Sequence, residues 1–292
     1  MKSGFVSIIG RPNVGKSTLL NAMVGEKVAI ATDKPQTTRN RIRGIYNEED
    51  LQIVFLDTPG IHKPKSKLGE FMTGTALSSF NDVDAILFLV DEPHREKGGD
   101  YFIFNNIKDL KMPKILIINK MDKMKPEQFK EIFDGYDKTG VFDQIIGTVA
   151  LDGAGVPAVI DAIKPYMEEG PAFFDPGMYT DHPERFIVSE IIREKVLLNL
   201  EDEIPHGTAI EIENYEELPR LTRISCIIYT EKKSHKGMII GKGGLKLKEI
   251  GKSAREEIEA LVGTKVYLEL FVKVKENWRD STGMLSNLGY KE

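Results

Sequence analysis

The sequence predicts a mostly parallel, doubly wound α/β domain followed by a smaller α+β domain. Three observations carry this. The chain has 292 residues, too many for one ordinary hydrophobic core and about right for two. Over residues 1–169, short apolar runs alternate with stretches of helical periodicity, the pattern of strands joined by crossover helices. Residues 170–183, GPAFFDPGMYTDHP, then concentrate Pro and Gly, and the pattern changes beyond them. The expected organisation is a first domain over 1–169, an extended linker over 170–183 and a second domain over 184–292.

Composition narrows the class. Apolar residues make up 41% and charged residues 29%, as in a soluble globular chain. The opening MKSGFVSIIG runs straight into a glycine turn, so no signal peptide is expected. Apolar runs such as AILFLV fall well short of the ~20 residues that span a bilayer, so no transmembrane segment is expected. The single cysteine, Cys226 in ISCIIY, forms no internal disulfide and reads as a small buried strand residue. The net charge of −5 gives the whole molecule no pull on polyanions, but the charge is uneven. Residues 199–217 hold seven acidic groups and no Lys or Arg, whereas residues 231–255 hold eight basic groups against Glu231 and Glu249. Such a basic stretch is the place to look for nucleic-acid binding.

The first strand, FVSII, runs into GRPNVGKS, which fits G-x-x-x-x-G-K-[ST] between a strand and a helix over 16–24. Backbone N–H groups of Gly10, Arg11, Pro12 (which has only a carbonyl), Asn13, Val14 and Gly15, with the helix start at Lys16, Ser17 and Thr18, form a cradle for phosphates. Lys16 is expected to reach the β- and γ-phosphates and Ser17 to ligate Mg²⁺. The next buried strand, LQIVFL, ends at Asp57, a carboxylate suited to the Mg²⁺ shell. It opens DTPGI: Asp57, Thr58, Pro59, Gly60 and Ile61. Gly60 can offer its N–H to a γ-phosphate with no side chain in the way. Ras-like hydrolases carry a water-orienting Gln after this glycine. Ile61 has neither donor nor acceptor. His62 beside it is a candidate contact or a solvated loop residue.

Helices are expected over 66–80, 98–110 and 126–138, and strands at AILFLV, KILIIN and QIIGTV. KILII leads into NKMD: Asn119, Lys120, Met121 and Asp122. A carboxylate at Asp122 can accept both N1–H and the 2-amino group of guanine, which adenine does not offer, so the nucleotide is expected to be GTP or GDP. Past residue 183 the pattern reads helix (184–199), strands (207–213 and 222–230), a helical turn, GKGG, helix (245–262) and strand (265–274). GKGG supplies G-x-x-G at Gly241, Lys242, Gly243 and Gly244 within the basic stretch, after Ile239 and Ile240 and before Lys246. Leu245, Leu247, Ile250 and Ile258 are expected to face the core, leaving Lys246, Lys248 and Lys252 for phosphate or solvent. Trp278 in LFVKVKENWRDS stacks on a base or packs against the last strand.

With GRPNVGKST, PQTTR, DTPGI, NKMD and the second domain taken together, the chain resembles the bacterial Era GTPases over nearly its whole length. The second domain resembles a type II KH domain, whose G-x-x-G loop clamps about four nucleotides. The resemblance implies that Gln36, Thr37, Thr38, Arg39 and Asn40 form the first switch, with Thr38 the leading Mg²⁺ and γ-phosphate ligand and Thr37 the second choice. It implies a fifth guanine element at Val149, Ala150 and Leu151, where the family usually has Ser-Ala-Leu. Ala150 would offer its N–H to the guanine carbonyl, and the Ser hydroxyl is lost. An apolar residue at Ile61 is usual in the family and implies slow intrinsic hydrolysis. Asn13 either shapes the loop or helps hold K⁺ beside the phosphates. The resemblance further implies binding to the 3′ region of 16S rRNA, help in small (30S) ribosomal subunit maturation, and a monomeric cytoplasmic protein with some peripheral association with the inner membrane. Two other classes are a nucleotide-stabilised RNA-binding module with incidental hydrolysis and a P-loop kinase. Intact Lys16, Ser17 and Asp57 argue against the first, and Asp122 against the second.

Overall fold

The structure, a computed structural model, describes residues 1–34, 36–61, 66–80, 83–94, 98–201 and 204–290. His62, Asp202 and Glu203 lie outside them. The chain divides into two units: Met1–Ala31, Thr38–Pro64 and Met72–Asp181 in one, and Thr32–Thr37, Lys65–Phe71 and His182–Glu292 in the other.

Along residues 1–181 the elements run β1 (Lys2–Gly10), α1 (Lys16–Val24), β2 (Ile42–Glu48), β3 (Leu51–Asp57), α2 (Lys67–Ser78), β4 (Ala85–Val90), α3 (Gly99–Ile107), β5 (Lys114–Ile118), α4 (Pro126–Asp137), β6 (Gln144–Gly147), α5 (Val156–Ile163) and β7 (Glu168–Glu169). The sheet order is β2-β3-β1-β4-β5-β6, with β7 pairing antiparallel to the start of β1. Pairings from β3 to β6 are all parallel, as expected from the crossover pattern. The strands β1, β3, β4 and β5 are apolar on both faces because both are covered. Ile86, Phe88 and Val90 join Ile103, Ile107, Ile132 and Tyr136 from α3 and α4 in one core. Ala85, Leu87 and Leu89, equally buried, face the other way, and α1 packs with α5 and against β1, β2 and β3.

The strand β2 was not expected. It is antiparallel, lies at the sheet edge and is only partly buried, so IRGIYNE carries no continuous apolar run. An edge strand leaves N–H and C=O groups unpaired, and residues 171–181 run against this edge and meet it at several points. Ile45 N–H donates to the Tyr179 carbonyl (2.8 Å). Asn47 Nδ2 donates to the Met178 carbonyl (3.1 Å). Gln52 accepts from the Phe173 and Phe174 N–H groups and donates back to the Phe174 carbonyl, and Arg43 pairs with Asp181. The stretch read as a linker is thus extended, but most of it is a strap on the first unit.

The second unit contains α6 (Glu184–Asn199), β8 (Ala209–Leu218), β9 (Leu221–Thr230), α7 (Lys233–Ile240), α8 (Leu245–Val262), β10 (Lys265–Val274) and a short α9 (Thr282–Asn287). A tight turn joins β8 to β9 as an antiparallel hairpin. Parallel pairing of β10 with β9 requires a crossover, and α7, the GKGG loop and α8 supply it. Val188, Ile191 and Ile192 of α6, Cys226 of β9 and Ala254 and Ile258 of α8 share one core. Cys226 is fully buried, as read from the sequence, and burial pushes its thiol pKa up. Trp278 is fully buried and donates from Nε1 to the Gly207 carbonyl (2.9 Å), so it packs rather than stacks. Leu245 corrects the expected core: it is 68% exposed, because it is the first residue of α8 and precedes the buried face set by Ile250, Ala254 and Ile258.

Candidate functional site

The first site is built at the carboxyl ends of β1, β3, β4 and β5, where open parallel sheets bind ligands. Gly15 stands at the start of α1 with φ 102°. A Cβ there would lie 2.2 Å from Asn119 Nδ2, so both the backbone angle and the close approach require glycine. Lys16, the first helical residue, is 6% exposed, and its Nζ donates to the carbonyls of Gly10 (3.1 Å) and Arg11 (2.9 Å). Burial pulls its pKa down to about 8, against the opposing Asp57 carboxylate.

Ser17, Thr38 and Asp57 converge. Ser17 Oγ donates to Asp57 Oδ2 (2.6 Å) and lies 2.9 Å from Thr38 Oγ1, which also donates to Asp57 Oδ2 (3.3 Å). Asp57 Oδ1 is buried and has no hydrogen-bond partner among the described residues. Burial raises the Asp57 pKa, while Lys16 and the two hydroxyls oppose that shift. Two hydroxyls and a carboxylate with a spare lone-pair oxygen are hard donors that fit Mg²⁺. Thr37 is occupied differently: its hydroxyl donates to the Lys34 carbonyl (2.5 Å) and lies 2.7 Å from Thr32 Oγ1. Arg39 is buried, Asn40 is half-buried, and Gln36 has a left-handed backbone (φ 61°). Thr58 pins DTPG to β1 by donating to the Ile8 carbonyl (2.9 Å). Pro59 and Gly60 are buried, and Gly60 sits against Pro12. Ile61 is 3% exposed and packs into the core with Leu56 and Phe88, so it is a packing residue.

Asn119 joins three motifs. Its Nδ2 donates to the Val14 carbonyl (2.8 Å), and its Oδ1 accepts from Thr148 Oγ1 (3.0 Å) and the Ala150 N–H (3.0 Å). The Ala150 amide expected for guanine is therefore already committed to Asn119. The hydroxyl missing at Val149 is offset one residue earlier by Thr148, and Val149 pairs with Ala154. Lys120, with φ 63°, donates to the Asn13 carbonyl (2.6 Å) and Asp91 Oδ2 (2.7 Å). Met121 and Asp122 are exposed in the following turn, and Leu151 is exposed at the loop tip. Sequence reasoning missed Thr148 and Asp91. Asp91 follows AILFLV, and its place at a strand's carboxyl end was the available signal.

The second site lies in the other unit. Gly241 has φ 73°, and a Cβ on it would meet Lys246 Cβ at 2.7 Å, which again requires glycine. Lys242 is exposed at the tip of the loop and Lys246 is half-buried. From Gly244 a groove of about 530 Å³ runs between α8 and β10. Gly244, Leu247, Lys248, Gly251, Lys252 and Arg255 line one side at helical spacing, and Val266, Tyr267, Leu268 and Leu270 line the other. An apolar floor with a basic rim suits bases below and phosphates above. β10 pairs only with β9 among the described residues, leaving its outer backbone groups for hydrogen bonding. Arg255 closes the basic stretch singled out in the sequence, whereas Tyr267 was not expected here. Ile239 is a correction: it is fully buried in a core with Ile228 and Ile250, so it supports the loop from beneath, and Ile240 packs against the same core.

Comparison with known proteins places both halves. Residues 5–120 match the family described as 50S ribosome-binding GTPase, and residues 203–279 match the KH domain family. The chain is 56% identical to GTPase Era of Alkaliphilus oremlandii, covering 99% of each chain. It is 53% identical to GTPase Era of Clostridioides difficile, covering 100% of this chain and 99% of that one. The crystal structure of a variant of Aquifex aeolicus Era bound to GDP.AlF4⁻ superposes with TM-score 0.94 at 40% identity over 100% of both chains. Era in complex with MgGDPNP and nucleotides 1506–1542 of 16S ribosomal RNA superposes with TM-score 0.95 at 40% identity, also over 100% of both.

Proposed function

The chain belongs to the Era family of GTPases and hydrolyses GTP, and on that premise we propose that it is a switch protein whose second domain binds the 3′ region of 16S rRNA and assists maturation of the small ribosomal subunit. The observation that carries the RNA assignment is the basic-rimmed groove opening from GKGG between α8 and β10. A relative of 40% identity and the same fold has been seen with that region of rRNA.

In the first domain the loop N–H groups and the N-terminus of α1 hold the phosphates, and Lys16 supplies positive charge beneath them. Ser17, Thr38 and Asp57 hold Mg²⁺, which when bound offsets negative charge on the phosphate oxygens. Thr38 and the Gly60 N–H sense the γ-phosphate, so its loss releases both segments. Asp122 selects guanine. Ile61 is packed in the core and orients no water, so hydrolysis in the free protein is slow. Asn13, exposed and left-handed in backbone (φ 65°), helps hold K⁺ beside the phosphates. In the second domain Lys242 and the rim lysines bind RNA phosphates. The same family reading gives a cytoplasmic monomer with some peripheral association with the inner membrane. No helix among the described residues is long and apolar enough to cross a membrane.

Filter binding of the 3′ tail of 16S rRNA tests the RNA assignment. Lys242→Asp places a negative charge where a phosphate should lie and removes one counterion-releasing contact. Its affinity should fall by at least about tenfold, and wild-type affinity should drop steeply with salt. Wild-type binding by Lys242→Asp would show that the loop is a solvated turn.

A further inference from the structure

Asp91 lies one residue beyond β4, and the Asn119 N–H donates to the carbonyl of Val90 (2.9 Å). That strand pairing continues the register of Val90 with Ile118 and brings Asp91 beside Asn119, within side-chain reach of Lys120. Asp91 Oδ2 accepts from Lys120 Nζ (2.7 Å), and Oδ1 accepts from Arg11 (2.9 Å). The same Lys120 ammonium donates to the Asn13 carbonyl (2.6 Å). Arg11 is further held by Asp100 Oδ2 at its Nε (2.8 Å) and by Glu92 (3.3 Å). One carboxylate therefore joins a phosphate-loop cation to a guanine-motif cation, and the second cation grips the loop backbone at a residue with left-handed geometry.

We propose that Asp91 is a positioning residue for guanine-nucleotide binding, clamping Lys120 and Arg11 so that the NKMD segment and the phosphate loop keep one relative arrangement. The proposal rests on the nucleotide site described above. Its physical content is a sign. Asp91 is an anionic group near a binding site for a polyanion, so by charge alone its neutralisation should tighten nucleotide binding. By position its loss should loosen binding. Lys120 then loses its carboxylate partner, Asp91, the Lys120–Asn13 bond is no longer held from behind, and Arg11 turns to Asp100 and Glu92. Charge-assisted hydrogen bonds are the stronger kind, so the positional effect wins.

The test is the dissociation rate of a fluorescent GDP from wild type, Asp91→Asn, Lys120→Met and the double variant, with steady-state GTP hydrolysis in parallel. Asp91→Asn should release GDP roughly tenfold faster, and KM for GTP should rise by a similar factor while kcat changes less than twofold. The double variant should release GDP less fast than the two single effects combined, because the Asp91–Lys120 contact is shared by both substitutions while the Asp91–Arg11 contact is lost only with Asp91. Asp91→Glu keeps the charge and reaches either cation, and it should recover at least half of the lost residence time. It also serves if Asp91→Asn fails to fold. Unchanged or slower GDP release in Asp91→Asn, strict additivity in the double variant, or no recovery in Asp91→Glu would each overturn the proposal. Wild-type GDP binding in the same assay reports on the nucleotide site itself, so the two failures are distinguishable.

Discussion

Replacing Asn119 with Ala removes a side chain of the guanine segment that ties it to both the phosphate loop and the 148–151 loop. Three hydrogen bonds are lost, and they leave the Val14 carbonyl, the Ala150 N–H and the Thr148 hydroxyl without their partners. The residue is 2% exposed, so water replaces these bonds poorly. A buried polar group left unsatisfied costs about 1–3 kcal/mol. Two backbone groups stranded this way amount to about 3 kcal/mol, allowing for water entering the space vacated by the amide. If that cost falls on the bound state, the affinity for GDP drops by about two decades. The share that falls on the free protein appears instead as a lower Tm. Fluorescent GDP titration and a thermal melt with and without GDP measure both shares. A dissociation constant within threefold of wild type, with an unchanged melt, would refute the reasoning that these bonds hold the three motifs in register.

Other outcomes follow from the same site. Asp122→Asn should weaken GTP by one to two decades, since a charged hydrogen bond is worth about 1.5–3 kcal/mol, and should favour xanthosine triphosphate, whose donor and acceptor match the exchanged amide. Equal GTP affinity in both proteins would sink that role. Lys16, with its pKa pulled down to about 8 by burial, gives two opposite pH trends. GTP affinity should fall as pH rises past about 8, because binding then requires protonation of the amine. The unfolded chain, with the lysine near its ordinary value of 10.5, binds more protons between about 8 and 10.5, so this group makes nucleotide-free stability rise with pH in that window. Titrations and melts from pH 7 to 10 on wild type and Lys16→Ala separate the two. Phosphate release should be faster in K⁺ than in Na⁺ if Asn13 helps hold a cation; equal rates would leave an external activator as the better explanation.

The phosphate and guanine motifs were legible because each is a short contiguous run whose chemistry depends on its neighbours in sequence. The central strands were legible because burial on both faces writes an unbroken apolar run. What escaped depends on pairing between distant segments. Asp91 acquires its role only when β4 and β5 pair and bring it within side-chain reach of Lys120. Thr148 matters only because β6 brings it beside Asn119, and Arg255 and Tyr267 line a groove only once α8 lies over β10. The edge strand β2 carries half-buried residues and reads as loop, and the strap over 171–181 has the Pro and Gly content of a true linker while hydrogen-bonding along that edge. Ile239 shows the converse error: adjacency to G-x-x-G suggested contact with RNA, but the turn of α7 points it into the core.

Ultraviolet crosslinking of the GTP-loaded protein to small-subunit rRNA, with both the peptide and the nucleotide mapped, examines the proposed RNA site without any substitution. Crosslinked peptides should come from 241–255 and 266–270, and the crosslinked nucleotides should lie in the 3′ region of 16S rRNA. Crosslinks confined to other surfaces, or spread over the rRNA with no preference for its 3′ region, would contradict it.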